Sequence, residues 1–110
     1  MTRAASPILR VALPLAVALA AVLPFAAALG NGWVNWDDER NFLQNPSYRG
    51  LSPAHLGWMF TTFHMGHYQP LAWATLGLDH ALWGMDPAGY HATNLLLHAA
   101  NAALAYALLL

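Results

Sequence analysis

Lysine and cysteine are both absent from this chain of 110 residues, and fixed charge of either sign is scarce. The absence of cysteine excludes a disulfide framework and thiolate metal sites. Charged residues make up only 8% of the chain, against about 25% in ordinary soluble domains. The net charge of -1 leaves no basic footprint, so we expect no nucleic-acid partner. Since 58% of the residues are hydrophobic, lipid is the expected solvent for much of the chain.

The first long apolar run covers residues 11–30 and contains no charge. About 20 residues with a rise of 1.5 Å each cross a hydrocarbon core of about 30 Å. Arg3 and Arg10 precede this run, and the next base is Arg40. The positive-inside rule therefore places residues 1–10 in the cytoplasm and predicts a transmembrane helix over 11–30.

A cleaved signal peptide is the alternative interpretation of the same run, because Ala26 and Ala28 fit a small-residue cleavage site. We favour an uncleaved anchor, since the run exceeds the roughly 7–15 apolar residues usual in a signal peptide. A second apolar segment also follows near the end of the chain, which is typical of a multi-pass protein.

Residues 31–88 are predicted to form an extracytoplasmic loop that contains two short helices. Ser52 and Pro53 have the residue types of an N-cap and first helical position, and Pro70 is expected to begin the second helix. The apolar residues at helical spacing are Leu56, Met59, Phe60 and Phe63 in the first helix, and Leu71, Ala74, Leu78 and Leu82 in the second. The tryptophans expected at the headgroup layer are Trp58, Trp73 and Trp83. Both helices are too short to span, so we expect them to lie along the membrane surface.

A second transmembrane helix is predicted over residues 89–110, after a cap at Asp86 and a proline at position 87. It carries a polar stripe, formed by His91, Asn94, His98 and Asn101, that falls within about 80° around the helix. Such a stripe is expected to face other helices or a wet cavity. Hydrogen bonding between helices accounts best for the two deeper residues, whereas His91 lies near the outer end and is a candidate for lining a site. Because the apolar run reaches residue 110 without a closing charge, we expect the chain to be the front of a longer protein or a truncated one.

Three consecutive acids, Asp37, Asp38 and Glu39, follow the first apolar run. The simplest explanation is that charge collects where a span exits into water. Adjacent carboxylates can also supply a general base, or bind a divalent cation together with phosphate oxygens. His64 and His67 could add metal ligands, but no further ligand lies at a metal-like spacing, so we expect no metal site.

Three stretches of this sequence together resemble a known family. They are "WVNWDDERNFLQNP", "FTTFHMGHYQPLAW" and "LDHALWGMDPAGYHATNLLLHAANAAL". The order is similar to the N-terminal region of polytopic membrane proteins with C-terminal tetratricopeptide repeats. These belong, like the protein O-mannosyltransferases, to the GT-C membrane glycosyltransferases. The similarity runs from about Gly32 to the end, and its most specific part is Tyr90 to Leu104.

The resemblance implies that Asp37 is the catalytic base and that Asp38 supports it. The base would activate an acceptor hydroxyl, which attacks the sugar of a polyprenyl-phosphate-linked donor. The residues we assign to substrate binding are His64, His67, His91 and Asn94. No resident cofactor is expected, although the use of a divalent cation stays an open alternative.

The prediction is therefore an all-α membrane protein, in which two transmembrane helices flank an extracytoplasmic loop with interfacial helices, as a fragment of a GT-C bundle. We expect a multi-pass protein of a membrane like the bacterial inner membrane, with a lipid bilayer, a polyprenyl-phosphate sugar donor and an acceptor protein as partners. Alone, the segment is expected to be inactive, since it lacks the later loops that hold the donor. Two alternatives stay open: a non-catalytic helical hairpin that assembles with partner helices, and a secreted or periplasmic binding protein released by signal cleavage.

Overall fold

A computed structural model describes residues 6–109 of the chain. In this range the backbone forms helices and short connections without a strand, which confirms the all-α prediction. The chain divides into two compact units, of which the first comprises Met1–Leu29 and His91–Leu110 and the second comprises Gly30–Tyr90. Arg3 and residue 110, on which part of the predicted topology depends, lie outside the described residues.

The first unit begins with α1, which spans Pro7–Val22 and continues as a 3₁₀-helix over Leu23–Gly30. The helix starts four residues earlier than the predicted residue 11. The reason is a local cap, because the Ser6 side chain accepts a hydrogen bond from the backbone N–H of Leu9 at 3.3 Å. Pro24 lies near the change from α- to 3₁₀-helix, where its missing N–H removes an α-helical hydrogen bond.

The stretch Pro7–Gly30 is long and apolar enough to cross a membrane, with a mean hydropathy of 2.3 over its most apolar window. It is the one such stretch among residues 6–109. Its place near the N-terminus also fits a signal sequence, so the choice between anchor and signal stays a prediction.

The last helix, α4, spans Pro87–Leu108. It begins as predicted, because Asp86 Oδ1 accepts a hydrogen bond from the backbone N–H of Ala88 at 3.0 Å. It is long enough to span a bilayer, but its hydropathy falls short of a candidate span. Histidine and asparagine of the polar stripe lower that hydropathy, so the second transmembrane helix stays a prediction.

The second unit carries two α-helices and three shorter helical turns. In chain order they are a π-helix Glu39–Leu43, a 3₁₀-helix Pro46–Tyr48, α2 Pro53–Thr61, a 3₁₀-helix His64–Gly66 and α3 Pro70–Trp83. Both α-helices begin at the predicted prolines, and Ser52 caps α2 through its side-chain oxygen. Helices α2 and α3 pack against each other and against Pro46–Tyr48.

The core of the second unit is a cluster of large side chains, most of them aromatic. Its buried hydrophobic members are Tyr48, Met59, Trp73 and Tyr90. Trp58 lies half-buried against Trp73, with 5.0 Å between the ring centroids. The assignment of Trp73 to the headgroup layer was therefore wrong, because its side chain is only 1% exposed and lies inside the protein.

The apolar residues predicted at helical spacing in α2 and α3 divide between the core and the surface, with Met59 buried and Ala74 half-buried. The predicted apolar residues that are exposed are Leu56 and Phe60 in α2, Phe63 beyond the end of α2, and Leu71, Leu78 and Leu82 in α3. The residues of α3 that are buried within the protein are Trp73, Gly77 and Asp79. A Cβ atom at residue 77 would lie 2.7 Å from the carbonyl oxygen of Gly50, so the absence of a side chain there allows the backbones to approach closely.

Gly77→Ala is expected to destabilise the second unit by about 1–3 kcal/mol, since the added methyl group must displace the fixed backbone at Gly50. Thermal unfolding of the chain in detergent micelles, followed by near-ultraviolet circular dichroism, measures this loss. Gly57→Ala is the matched control, since Gly57 is an exposed position of α2 where an added Cβ meets nothing within 4 Å. It should raise stability by about 0.5–1 kcal/mol. Equal changes in the two variants would contradict the close approach at Gly77.

Candidate functional site

The acidic segment places its first two carboxylates in different surroundings. Asp37 is exposed, whereas Asp38 is half-buried and its Oδ2 accepts a hydrogen bond from the backbone N–H of Val34 at 3.0 Å. Glu39 is also engaged, because its Oε1 accepts from Gln44 Nε2 at 2.7 Å. Within residues 6–109 no hydrogen bond occupies the Asp37 carboxylate, so Asp37 is the acid that is open to an incoming group.

Two side chains that the sequence analysis did not single out fix the backbone around these acids. Trp33 precedes them, and its Nε1–H donates to the carbonyl of Met85 at 3.2 Å. Arg49 follows them, and its Nη2 donates to the carbonyls of Phe42 and Leu43 at 2.8 and 2.7 Å. These carbonyls end the π-helix and lack partners within it, so a charged donor satisfies them well. The acidic segment is thus tied to the rest of the second unit on both sides.

His64 is held by the protein rather than free for a metal. Its Nε2 lies 3.2 Å from the carbonyl oxygen of Arg40. Because a carbonyl only accepts, Nε2 carries the hydrogen in this bond. The imidazole also lies edge-on to Trp58 and Trp73, at centroid distances of 5.8 and 5.6 Å. His67 is exposed, and no group of three potential metal ligands occurs in the part of the chain that the structure describes.

An open cavity of about 350 Å³ lies beside His64 and is lined by Arg40, Gln44 and Met65 as well. The guanidinium and the amide can donate hydrogen bonds to anionic or hydroxyl oxygens. The positive charge of Arg40 disfavours a cation in this cavity. Its chemistry suits a phosphate or a sugar hydroxyl better than a metal.

The two other predicted binding residues, His91 and Asn94, come together in the first unit. They line a cavity of about 280 Å³ with His98, Phe25, Ala28 and Leu95. His91 Nε2 is buried and has no hydrogen-bond partner among residues 6–109. A larger apolar cavity of about 540 Å³ shares Leu95 with this one. Its other lining residues are Leu15, Ala18, Leu19, Val22, Leu29, Ala92, Leu96 and Ala99.

Asp79 is a buried acid that the sequence analysis missed, although a single acid within an apolar helix is a recognisable signal. It lies on α3 near Tyr48, whose hydroxyl shares a hydrogen bond of 2.9 Å with Tyr90. Burial raises the pKa of Tyr48 above its ordinary value, and the negative charge of Asp79 adds to this shift. The tyrosine therefore stays neutral and serves as a hydrogen-bonding core residue.

His80, the next residue on α3, has a pKa below its ordinary value of 6.5, chiefly because of burial and then because of the charges of Arg49 and His55. The unfolded chain therefore binds more protons than the folded chain as the pH falls through 6.5, so acid lowers stability.

We expect the thermal midpoint of the chain in micelles to fall between about pH 7.5 and about pH 5, and His80→Asn to reduce this fall. The measurement is thermal unfolding at a series of pH values. His67→Asn removes an exposed histidine and is the control that should keep the wild-type dependence. An unchanged pH dependence in His80→Asn would show that another group is responsible.

Comparison of the chain with family models, curated proteins and solved structures finds no match. The relation to the GT-C glycosyltransferases therefore stays a prediction from the sequence motifs.

Proposed function

We propose that the chain is the N-terminal part of a membrane glycosyltransferase that moves a sugar from a polyprenyl-phosphate-linked donor to a hydroxyl group of a protein or other acceptor. One observation carries the proposal. Asp37 lies a few residues after the candidate membrane helix, which ends at Gly30. Its carboxylate is exposed and makes no hydrogen bond within residues 6–109. A lipid-linked phosphosugar is presented at the membrane surface, which is where such a base is needed.

The proposed reaction begins when Asp37 takes the proton of the acceptor hydroxyl. The hydroxyl oxygen forms a bond to the anomeric carbon of the sugar, and the bond from that carbon to the phosphate oxygen breaks. The polyprenyl phosphate leaves with the electron pair of that bond. Asp38, which is fixed by the N–H of Val34, holds the segment that carries the base.

In this proposal α1 and α4 cross the membrane and residues 31–88 are extracytoplasmic. The cavities of the first unit suit an amphiphilic donor. His91 and Asn94 offer hydrogen bonds at one end, and the apolar cavity that shares Leu95 offers room for a hydrocarbon chain.

The second unit has a cavity of its own, beside His64, that suits polar parts of a substrate. Arg40 and Gln44 there can donate to phosphate or sugar oxygens. His67, which directly follows the 3₁₀-helix that contains His64, is exposed and can contact a substrate from solvent.

The test is sugar transfer by the full-length protein in proteoliposomes, with radiolabelled polyprenyl-phosphate hexoses as donors and a peptide rich in serine and threonine as acceptor. Label should pass to the peptide with at least one donor, and residues 1–110 alone should be inactive. Failure with every hexose donor would overturn the proposal.

The second candidate is a non-catalytic helical hairpin, and one observation favours it. Polar side chains of α4 are exposed at Asn94, His98 and Asn101, as expected for residues that bond to partner helices. Detergent-stable oligomers together with an absence of sugar transfer would support this candidate over the enzyme.

A further inference from the structure

The stretch from residue 50 to residue 78 contains no acid, lysine or arginine, although it makes up about half of the second unit. The large apolar side chains that it exposes are Leu51, Leu56, Phe60, Phe63, Met65, Tyr68, Leu71 and Leu78. Surfaces that face water usually carry roughly 25–35% charged residues. The second unit therefore combines a charged segment, residues 37–49, with an uncharged and apolar segment.

The most exposed aromatic pair of the uncharged segment lies in residues 62–69, the connection between α2 and α3. Phe63 is 69% exposed and Tyr68 is 54% exposed. Their rings are stacked, with centroids 5.3 Å apart. Aromatic side chains at this kind of position are characteristic of membrane–water interfaces.

The polar groups around this pair bond to the protein itself. The hydroxyl of Tyr68 donates to the carbonyl of Phe60 at 3.1 Å, and the backbone N–H of Gly66 donates to the carbonyl of Phe63 at 2.8 Å. The hydroxyl of Thr61 donates to the carbonyl of Gly57 at 2.7 Å. Exposed groups do not need such partners in water, but they do need them where lipid replaces water. His67 and Gln69 are exposed as well, which limits the depth to the hydrated headgroup layer.

The backbone that carries the pair is held in an unusual conformation. Met65 has φ 52° and ψ 27°, in the left-handed region that side chains other than glycine rarely adopt, and Gly66 follows with φ 84°. His64 anchors this turn through the carbonyl of Arg40 and through its contacts with Trp58 and Trp73. The turn is therefore fixed by tertiary contacts on one side and exposes the aromatic pair on the other.

We propose that residues 62–69 form a membrane-inserting tip, in which the stacked rings of Phe63 and Tyr68 enter the headgroup layer of a lipid bilayer. A bilayer fits this surface better than a protein partner, because the tip offers apolar rings while its hydroxyl and turn amide are already bonded internally. The candidate membrane helix of the same chain brings the tip to a bilayer. The inference rests on the membrane location in the proposed function, and not on sugar transfer.

The absence of cysteine allows a single fluorescent label to be placed at will. Phe63→Cys and Ala54→Cys, each labelled with an environment-sensitive dye, are compared in vesicles of phosphatidylcholine and phosphatidylglycerol that contain headgroup-level spin-labelled lipid. Ala54 is exposed at the opposite end of α2 and is the matched control. We expect quenching at residue 63 to exceed that at residue 54 by about twofold or more, as for an interfacial side chain.

Each other outcome overturns the proposal. Equal quenching at both positions would mean that α2 lies flat, and a water-like signal at residue 63 would mean that the tip stays outside the membrane. A dye at residue 63 that is shielded from water but not quenched by lipid would indicate a protein interface.

Since Phe63→Cys removes one of the rings, a second label site keeps both. Dye at Gln69→Cys, next to the intact pair, should be quenched by lipid and should lose that quenching when Phe63→Ser is added. Unchanged quenching in the double variant would overturn the role of the pair. Insertion of the tip without sugar transfer would support this inference and overturn the proposed enzyme. Sugar transfer without insertion of the tip would support the enzyme and overturn this inference.

Discussion

Asp37→Asn in the full-length protein is expected to lower sugar transfer by at least about 10²–10⁴-fold, the contribution typical of a general base. The amide has nearly the same size as the carboxylate but cannot take a proton from the acceptor hydroxyl. Asp37 is exposed and makes no hydrogen bond within residues 6–109, so the exchange should leave folding and membrane insertion intact. Initial rates with saturating donor, together with carbonate extraction of the membranes, measure both properties.

Two neighbouring acid-to-amide exchanges serve as controls for this result. In Asp38→Asn the side-chain oxygen can still accept the hydrogen bond from the N–H of Val34, so we expect a smaller loss of rate than in Asp37→Asn. In Glu39→Gln the side-chain oxygen can still accept from Gln44, and the rate should stay near the wild-type value. Wild-type activity in Asp37→Asn would remove this residue from the mechanism, and equal losses in all three variants would point to a general effect of charge.

Helix starts in this chain are encoded locally and could be predicted. Ser52 and Asp86 each precede a proline, and a cap with a proline at the first position needs only neighbouring residues to act. The early start of α1 at Pro7 follows the same rule, since Ser6 caps it. It was missed because the prediction followed the apolar run instead of the cap.

The buried face of α3 could not be predicted in the same way. The leucines on one side of the helix follow the helical period and were expected to meet the membrane surface, whereas the helix packs in the protein through Trp73 and Gly77. In a chain where most faces are apolar, periodicity does not identify the face that meets the core. The choice depends on shape, because the missing side chain of Gly77 lets α3 approach Gly50.

In the candidate site, too, local motifs could be predicted and contacts between distant residues could not. The acidic pair is a local motif and was recognised from the sequence, whereas its supports are distant in the chain. Trp33 bonds to Met85, and His64 bonds to the carbonyl of Arg40. Such pairings are set by the tertiary fold, and one sequence alone carries no signal for them. His91 and Asn94 do share a cavity, as their spacing of three residues on one helix predicts.

Trp73→Ala is expected to destabilise the second unit by about 3–5 kcal/mol, the range for deletion of a large aromatic side chain from a core. The indole is 1% exposed and packs against the rings of Trp58, His64 and Tyr48, with centroids 5.0, 5.6 and 6.1 Å away. Because the unit is small, few other contacts can compensate for the cavity. Thermal unfolding in detergent micelles, followed by the near-ultraviolet circular dichroism of the remaining tryptophans, measures the loss.

Trp36→Ala deletes the same side chain at a position that is 81% exposed, so its stability should stay within about 0.5 kcal/mol of the wild type. The stability of Trp73→Phe should fall between the two, since it keeps an aromatic ring and removes an indole N–H that is buried without a partner in residues 6–109. If Trp73 acted at the headgroup layer instead, Trp73→Ala would weaken lipid contact and leave the unfolding midpoint unchanged. A midpoint that falls in Trp73→Ala but not in Trp36→Ala therefore separates a core tryptophan from an interfacial one.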